Sequence, residues 1–284
     1  MAIYKGNKKV VAVYKGSTPI NKIYKGGTLV FQKSGGGGST HLFEGTATKN
    51  FNLRINGQNR PITPDADGKW FYDTDEKITS LYRSFYNQTA VTSIDLSNLD
   101  LTGISTTSMF EETHNITSIK FNNTKSMKLK SLESMFDNCR SLVSLDLKSF
   151  DTSNVTNAMR LFGNCNGLVS LDISNWNTSN IKNAVGLFAN CNGLVSLDIS
   201  NWNTSNIENA SSLFFGCGKL VSLDLSNFDM SNATSYDSMF SYCYSLSTIK
   251  CKQAFKDWCI THQDTIKLPD AMREGGSGTW EIVE

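Results

Sequence analysis

Five cysteines, Cys139, Cys165, Cys191, Cys217 and Cys243, recur every 26 residues and are the first candidates for chemistry in the chain. Thiols in a series suggest metal or disulfides, yet no C-x-x-C and no nearby histidine pair accompanies them. Each closes an apolar run where cysteine acts as a small hydrophobe, so buried, free thiols are expected. A second series carries oxygen ligands: Ser144, Ser170, Ser196 and Ser222 in one column, Asp146, Asp172, Asp198 and Asp224 in the next. On adjacent parallel strands about 4.8 Å apart, four like charges repel one another. Two readings stay open. Either the carboxylates and hydroxyls line a surface for a cation, a sugar or a protein, or each Asp is tied to neighbouring Ser, Asn and backbone donors. The histidines His41, His114 and His262 lie in separate segments and join no nucleophile motif. Asp65-Ala66-Asp67-Gly68 starts like a calcium loop, but Trp70, Phe71 and Tyr72 occupy the remaining ligand positions, so a turn is expected. No catalytic residue, metal site or cofactor is expected, and the chain reads as a binding protein rather than an enzyme.

The elements that must hold these columns are themselves periodic. Phe110, Phe136, Phe162, Phe188, Phe214 and Phe240 share the 26-residue step, as do Leu145, Leu171, Leu197, Leu223 and Ile249, and the aromatics Phe150, Trp176, Trp202 and Phe228. Self-similarity of this length means stacked units. Within one unit, Leu168-Val169-Ser170-Leu171-Asp172-Ile173 fits the L-x-x-L-x-L strand pattern, with leucines inward and the residues between them outward. Ala158, Leu161, Phe162 and Cys165 fall at i, i+3, i+4 and i+7, one face of a short helix. The fold class expected is therefore α/β: a right-handed leucine-rich-repeat-like solenoid of about six 26-residue repeats, with a small N-terminal β module and capping elements. Exposed Asn and Thr after each aromatic corner, as in Asn177-Thr178-Ser179-Asn180, supply turn chemistry.

The flanks differ in composition. Residues 1–33 carry seven lysines and no acid in a chain of net charge +1, which leaves about −6 for the rest and argues for at least two modules. Ile3-Tyr4-Lys5-Gly6, Val13-Tyr14-Lys15-Gly16 and Ile23-Tyr24-Lys25-Gly26 read as short strands closed by glycine turns, and Tyr4, Tyr14 and Tyr24 are the expected docking residues. This basic start lacks arginine and any nucleic-acid motif, so no nucleic-acid partner is expected. About thirty residues of sheet are marginal alone, so the module docks on another protein or oligomerises. Ser34-Gly35-Gly36-Gly37-Gly38-Ser39 is a flexible tether of a composition also used in engineered linkers. Residues 40–79 carry hairpin signals at Asn56-Gly57 and Asp67-Gly68 and form the expected N-terminal cap. The repeats run over residues 80–250 and a C-terminal cap over 251–284, where Ala254 to Cys259 resembles a helix. At 39% hydrophobic and 19% charged residues the chain has a core-forming composition. No apolar run approaches the roughly 18 residues that span a membrane, and the first residues lack a secretion-signal pattern, so neither membrane insertion nor standard secretion is expected.

The unit Leu-Val-Ser-Leu-Asp-Ile-Ser-Asn-Trp-Asn-Thr-Ser-Asn-Ile, at 168–181 and again at 194–207, resembles the BspA-like leucine-rich-repeat family of bacterial surface proteins. That resemblance implies an extracellular adhesion protein meeting host or bacterial surfaces. Surface members normally carry a secretion signal and an anchor, and this sequence departs from them in both. The Tyr-Lys-Gly repeats resemble amino-terminal modules of tail-associated proteins in phages of gut bacteria, a shorter match. Together the two resemblances imply a virion protein, which reaches the outside by assembly and lysis. Its partners would be other virion proteins through residues 1–33 and a host surface protein or glycan through the repeats. A bacterial cell-surface adhesin and a cytoplasmic interaction scaffold are the alternatives.

Overall fold

The computed structural model describes residues 41–284 throughout and, of the preceding segment, only the backbone of four short strands. These are β1 (Tyr14–Lys15), β2 (Thr18–Pro19), β3 (Lys22–Lys25) and β4 (Thr28–Gln32), paired as two antiparallel hairpins, β1 with β2 and β3 with β4. Tyr4 and the Gly-rich tether lie outside the described residues. Tyr14 and Tyr24 lie on the strands β1 and β3.

A four-stranded sheet follows. It contains β5 (Phe43–Ala47), β8 (Lys69–Tyr72), β9 (Val91–Leu96) and β10 (Ser118–Phe121) in the order β10-β9-β5-β8. Between β5 and β8 lies the hairpin of β6 (Phe51–Ile55) and β7 (Gln58–Ile62). Asn56 and Gly57 both adopt positive φ, 49° and 81°, the geometry that an Asn-Gly hairpin turn requires. Later strands are short: β11 (Met127–Lys128) and β12 (Phe150–Asp151) pair in parallel, and β13 (Ser222–Leu225), β14 (Thr248–Lys252) and β15 (Thr279–Val283) form the last sheet. One α-helix, α1 (Gln253–Thr261), lies among the described residues.

This overturns the expected α/β leucine-rich-repeat-like solenoid. The described residues form small sheets of two to four strands, and no unit contains the helix that the i, i+3, i+4, i+7 pattern predicted. Residues 158–165 are instead consecutive tight turns. Leu161, Gly163 and Cys165 donate their amides three residues back, to Ala158, Arg160 and Phe162. The alternate amides leave the unit: Ala158, Arg160, Phe162 and Asn164 donate to the carbonyls of Asn183, Val185, Leu187 and Ala189, at 2.6–2.9 Å. Two residues per unit must take the left-handed conformation for this alternation, and the pairs Ser108/Glu112, Ser134/Asn138, Arg160/Asn164, Gly186/Asn190 and Ser212/Gly216 do so. Asn and Gly tolerate that region where a β-branched residue does not. A run of three-residue turns places apolar side chains on one side at nearly helical spacing, which is why the two were indistinguishable by period.

The inward residues of successive units meet. Phe85, Phe110, Phe136, Phe162, Phe188, Phe214 and Phe240 are fully buried and stack ring on ring, with centroids 5.4–5.9 Å apart and planes within 15°. The offset this separation implies is the favourable arrangement for aromatic pairs. Thr152, Thr178 and Thr204 are buried, not exposed, and their hydroxyls donate to the carbonyls of Asn177, Asn203 and Asp229.

The two ends of the stack are closed by complementary groups. At the first, β6 and the turn after it supply donors: Arg54 and Asn56 give their amides to the carbonyls of Ser84 and Ser80, while Phe51 and Trp70 extend the aromatic run beyond Phe85. At the last, Thr265 and Ile266 supply the acceptors that Ser238 and Phe240 need. Replacing Phe188, which stacks on both sides, by Ala is expected to cost about 3–5 kcal/mol, measurable as a fall in the urea midpoint. The same change at Phe85 also cuts the link to the aromatic side chains of the first cap.

Candidate binding surface

The Ser and Asp columns lie on the outward side of the L-x-x-L segments, of which only Ser222–Leu225 is a regular strand. Ser144, Ser170, Ser196 and Ser222 are exposed. A column that the motif reading missed flanks them: Val143, Val169, Val195 and Val221 are 45–51% exposed in the same position of four successive units. The signal was present, since the second residue of L-x-x-L points outward and is β-branched and apolar in each. The resulting face is a flat strip with a valine edge, a serine middle and a carboxylate edge.

Each carboxylate is held locally. Asp172 and Asp198 accept from the backbone and hydroxyl of Ser174 and Ser200, respectively, with the hydroxyls at 2.8 Å. Asp224 does the same with Ser226, and Asp146 accepts from the Lys148 amide and from Asn123 Nδ2. The Ser174 hydroxyl and amide bonds hold the Asp172 carboxyl below the usual range. For Asp224 partial burial acts upward, but Lys250 and Ser226 outweigh it and the net shift is down.

Charge also sets how regular the strands are. Where Asp opposes Lys, the backbone forms extended parallel ladders: Asp95 opposite Lys120 in β9 and β10, Asp224 opposite Lys250 in β13 and β14, with ion-pair distances of 3.1 and 2.8 Å. Where Asp146 opposes Asp172, only an isolated bridge remains. Repulsion between neighbouring carboxylates in water is comparable to the net worth of one backbone hydrogen bond, enough to cost a short strand its ladder.

The cysteines carry no exposed chemistry. All seven are buried and free, and Cys139, Cys165, Cys191, Cys217 and Cys243 donate their Sγ hydrogens at 3.0–3.2 Å to the carbonyls of Phe110, Phe136, Phe162, Phe188 and Phe214. Burial pushes the Cys243 thiol up to about 12 and Cys251 up to about 11, and the others upward as well. Cys251 and Cys259 are both unpaired. Among the described residues no group of three or more His, Cys, Asp or Glu is placed to hold a metal. Asp65 closes a turn, accepting the amides of Asp67 and Lys69. The histidines are spread over three sites, His41 on Asp73, His114 on Glu112 and His262 on the Trp258 carbonyl.

On the turn side, Asp137 is buried yet well partnered. Arg160 reaches it at 2.7 Å through Nε and 3.2 Å through Nη2, and Asn164 Nδ2 at 3.1 Å. Gly163 makes room for it, since a Cβ there would lie 2.7 Å from an Asp137 carboxylate oxygen. No helix among the described residues is long and apolar enough to cross a membrane.

A repeat protein whose successive 26-residue units are joined by turn-to-turn hydrogen bonds is the class these features define. The family described as "Mycoplasma protein of unknown function, DUF285" matches residues 79–192 and 167–265, well over half of the chain, and the chain belongs to that family. Searches of curated proteins and of solved structures found no match.

Two outcomes follow. A thiol pKa raised by folding stabilises the fold fully below the unfolded value of about 8.5 and loses that contribution as pH climbs toward the folded value. Stability should therefore fall from about pH 9 upward in denaturant titrations, and native thiols should resist an aromatic disulfide reagent at pH 8 until the chain unfolds. Asp198→Lys, which places a cation between Asp172 and Asp224, is expected to raise the thermal midpoint by about 2 °C at low salt, an increment that shrinks at high ionic strength.

Proposed function

We propose that the chain is a display protein of a phage virion, attaching to a bacterial host or its surrounding glycans through the strip of Val143, Val169, Val195 and Val221 beside the Ser and Asp columns. The observation that carries this reading is the valine column, because half-exposed β-branched side chains aligned over four units form one continuous apolar edge on an otherwise polar face. Such an edge suits a broad, shallow contact. Weak contacts of this kind gain from many copies on one particle, where avidity multiplies them. Assignment to a virion rests on the likeness of the Tyr-Lys-Gly segment to tail-associated modules. The match to a family described from Mycoplasma favours a second reading, an adhesin on a bacterial cell surface.

Mass spectrometry of density-purified particles from the source culture should recover the chain at fixed stoichiometry. Its absence there, with release from intact cells by protease shaving, would establish the second reading instead. For the contact itself, the double variant Val169→Glu/Val195→Glu should reduce binding of the labelled full chain to source-culture bacteria at least tenfold while keeping its thermal midpoint. Unchanged binding by a folded variant would remove the valine strip from the attachment surface.

A further inference from the structure

The last unit departs from the repeat at one place. The second left-handed position is Asn87, Glu112, Asn138, Asn164, Asn190 and Gly216 in the preceding units, but Tyr242 in the last, at φ 62°. Two residues on, the column of His114, Arg140, Asn166, Asn192 and Gly218 ends in Tyr244. A bulky aromatic in the left-handed region is an uncommon and unfavourable choice, the more so where five of the six preceding units take Asn or Gly. Its side chain gains little burial in return: Tyr242 is 54% exposed, and Tyr244, at 79%, is the most exposed of the large hydrophobic residues described. The two rings meet edge to face, centroids 5.8 Å apart, and Phe215 braces Tyr242 from the neighbouring unit at 5.0 Å.

These rings border an open hollow of about 280 Å³, closed on its other side by Lys267, Pro269, Asp270 and Ala271 of the C-terminal segment. Lys267, at φ 54°, is a second non-glycine residue in the left-handed region on the same rim. Left-handed non-glycine residues clustered at one cavity, with more exposed ring than packing accounts for, point to a ligand site. The chemistry of the rim narrows the ligand. Tyrosine faces accept an apolar C–H surface, while the exposed Asp270 carboxylate and the Lys267 ammonium accept from and donate to hydroxyls beside it. The hollow is of the size of one or two sugar rings. A proline-rich peptide would need a longer succession of aromatic ridges than one pair.

We infer that Tyr242, Tyr244, Lys267 and Asp270 form a saccharide-binding site on the turn side of the last unit, separate from the valine strip. A pyranose stacks its C–H face on Tyr244, and its hydroxyls bridge Asp270 and Lys267. A single such contact is weak, with a dissociation constant on the order of 1 mM, so it acts through multiple copies.

The test uses the full chain, immobilised in many copies, on an array that carries oligosaccharides and, as controls, proline-rich peptides. Saccharide binding by the native chain is expected, together with a loss of at least tenfold in the double variant Tyr242→Asn/Tyr244→Asn. That variant installs the Asn pair of the units at Asn164/Asn166 and Asn190/Asn192, so its thermal midpoint should equal or exceed the native one, and lost binding cannot be put down to misfolding. Asp270→Asn should weaken binding at least threefold at unchanged midpoint. No saccharide bound, equal binding by the double variant, or binding of the peptides alone would each overturn the site.

Discussion

One class of hydrogen bond carries the architecture: an amide in the turn segment of one unit donating to a carbonyl about 25 residues ahead, repeated at every second residue. It fixes the distance between units, and the Phe side chains carried on the same turns are thereby stacked at 5.4–5.9 Å. The buried thiols follow from it as well, since each sits one turn past a Phe and finds the carbonyl of the preceding unit's Phe within reach. Backbone polar groups buried without partners would be costly, so a stack with this little regular secondary structure depends on that alternation for its stability. The conformational demand appears as pairs of left-handed residues in each unit, met mainly by Asn, Ser and Gly.

What the sequence disclosed and what it hid divide along the same line. Period, inward positions and the exposure of Ser170 and Asp172 depend only on which residues repeat, and these were legible. The local conformation of residues 158–165 was not, because Ala158, Leu161, Phe162 and Cys165 occupy one face whether the chain runs as a helix or as successive turns. Asn164 and Asn190 held the missing information: a helix interior has little use for Asn or Gly at the same position of most units, whereas a left-handed turn favours them. The central strands were overestimated for an electrostatic reason, visible in the contrast between Asp146 opposite Asp172 and Asp224 opposite Lys250. Thr178 was misplaced because a hydroxyl reads as surface, although here it is spent on the carbonyl of Asn203.

The two long sides of the stack do different things with the same repetition. On the strand side the outward residues are held constant, giving a uniform strip whose valine, serine and aspartate edges do not change over four units. On the turn side, buried Asp137 with Arg160 and Asn164 occupies the middle, and aromatic side chains replace the small polar ones at the last unit. Uniformity fits a broad contact, whereas a departure confined to one rung fits a local one.

The end pieces differ in kind from the units they cover. The first offers amides from Arg54 and Asn56, and the last offers carbonyls from Thr265 and Ile266, so every interior junction presents the same two faces, donors toward one end and acceptors toward the other. Such a chain is modular in the genetic sense. A duplicated unit inserted between two others meets matching faces on both sides, and the identity of residues 168–181 with 194–207 is what recent duplication leaves behind. Length becomes a trait that can drift in whole rungs while both termini stay intact, lengthening or shortening the exposed strip without redesigning either end.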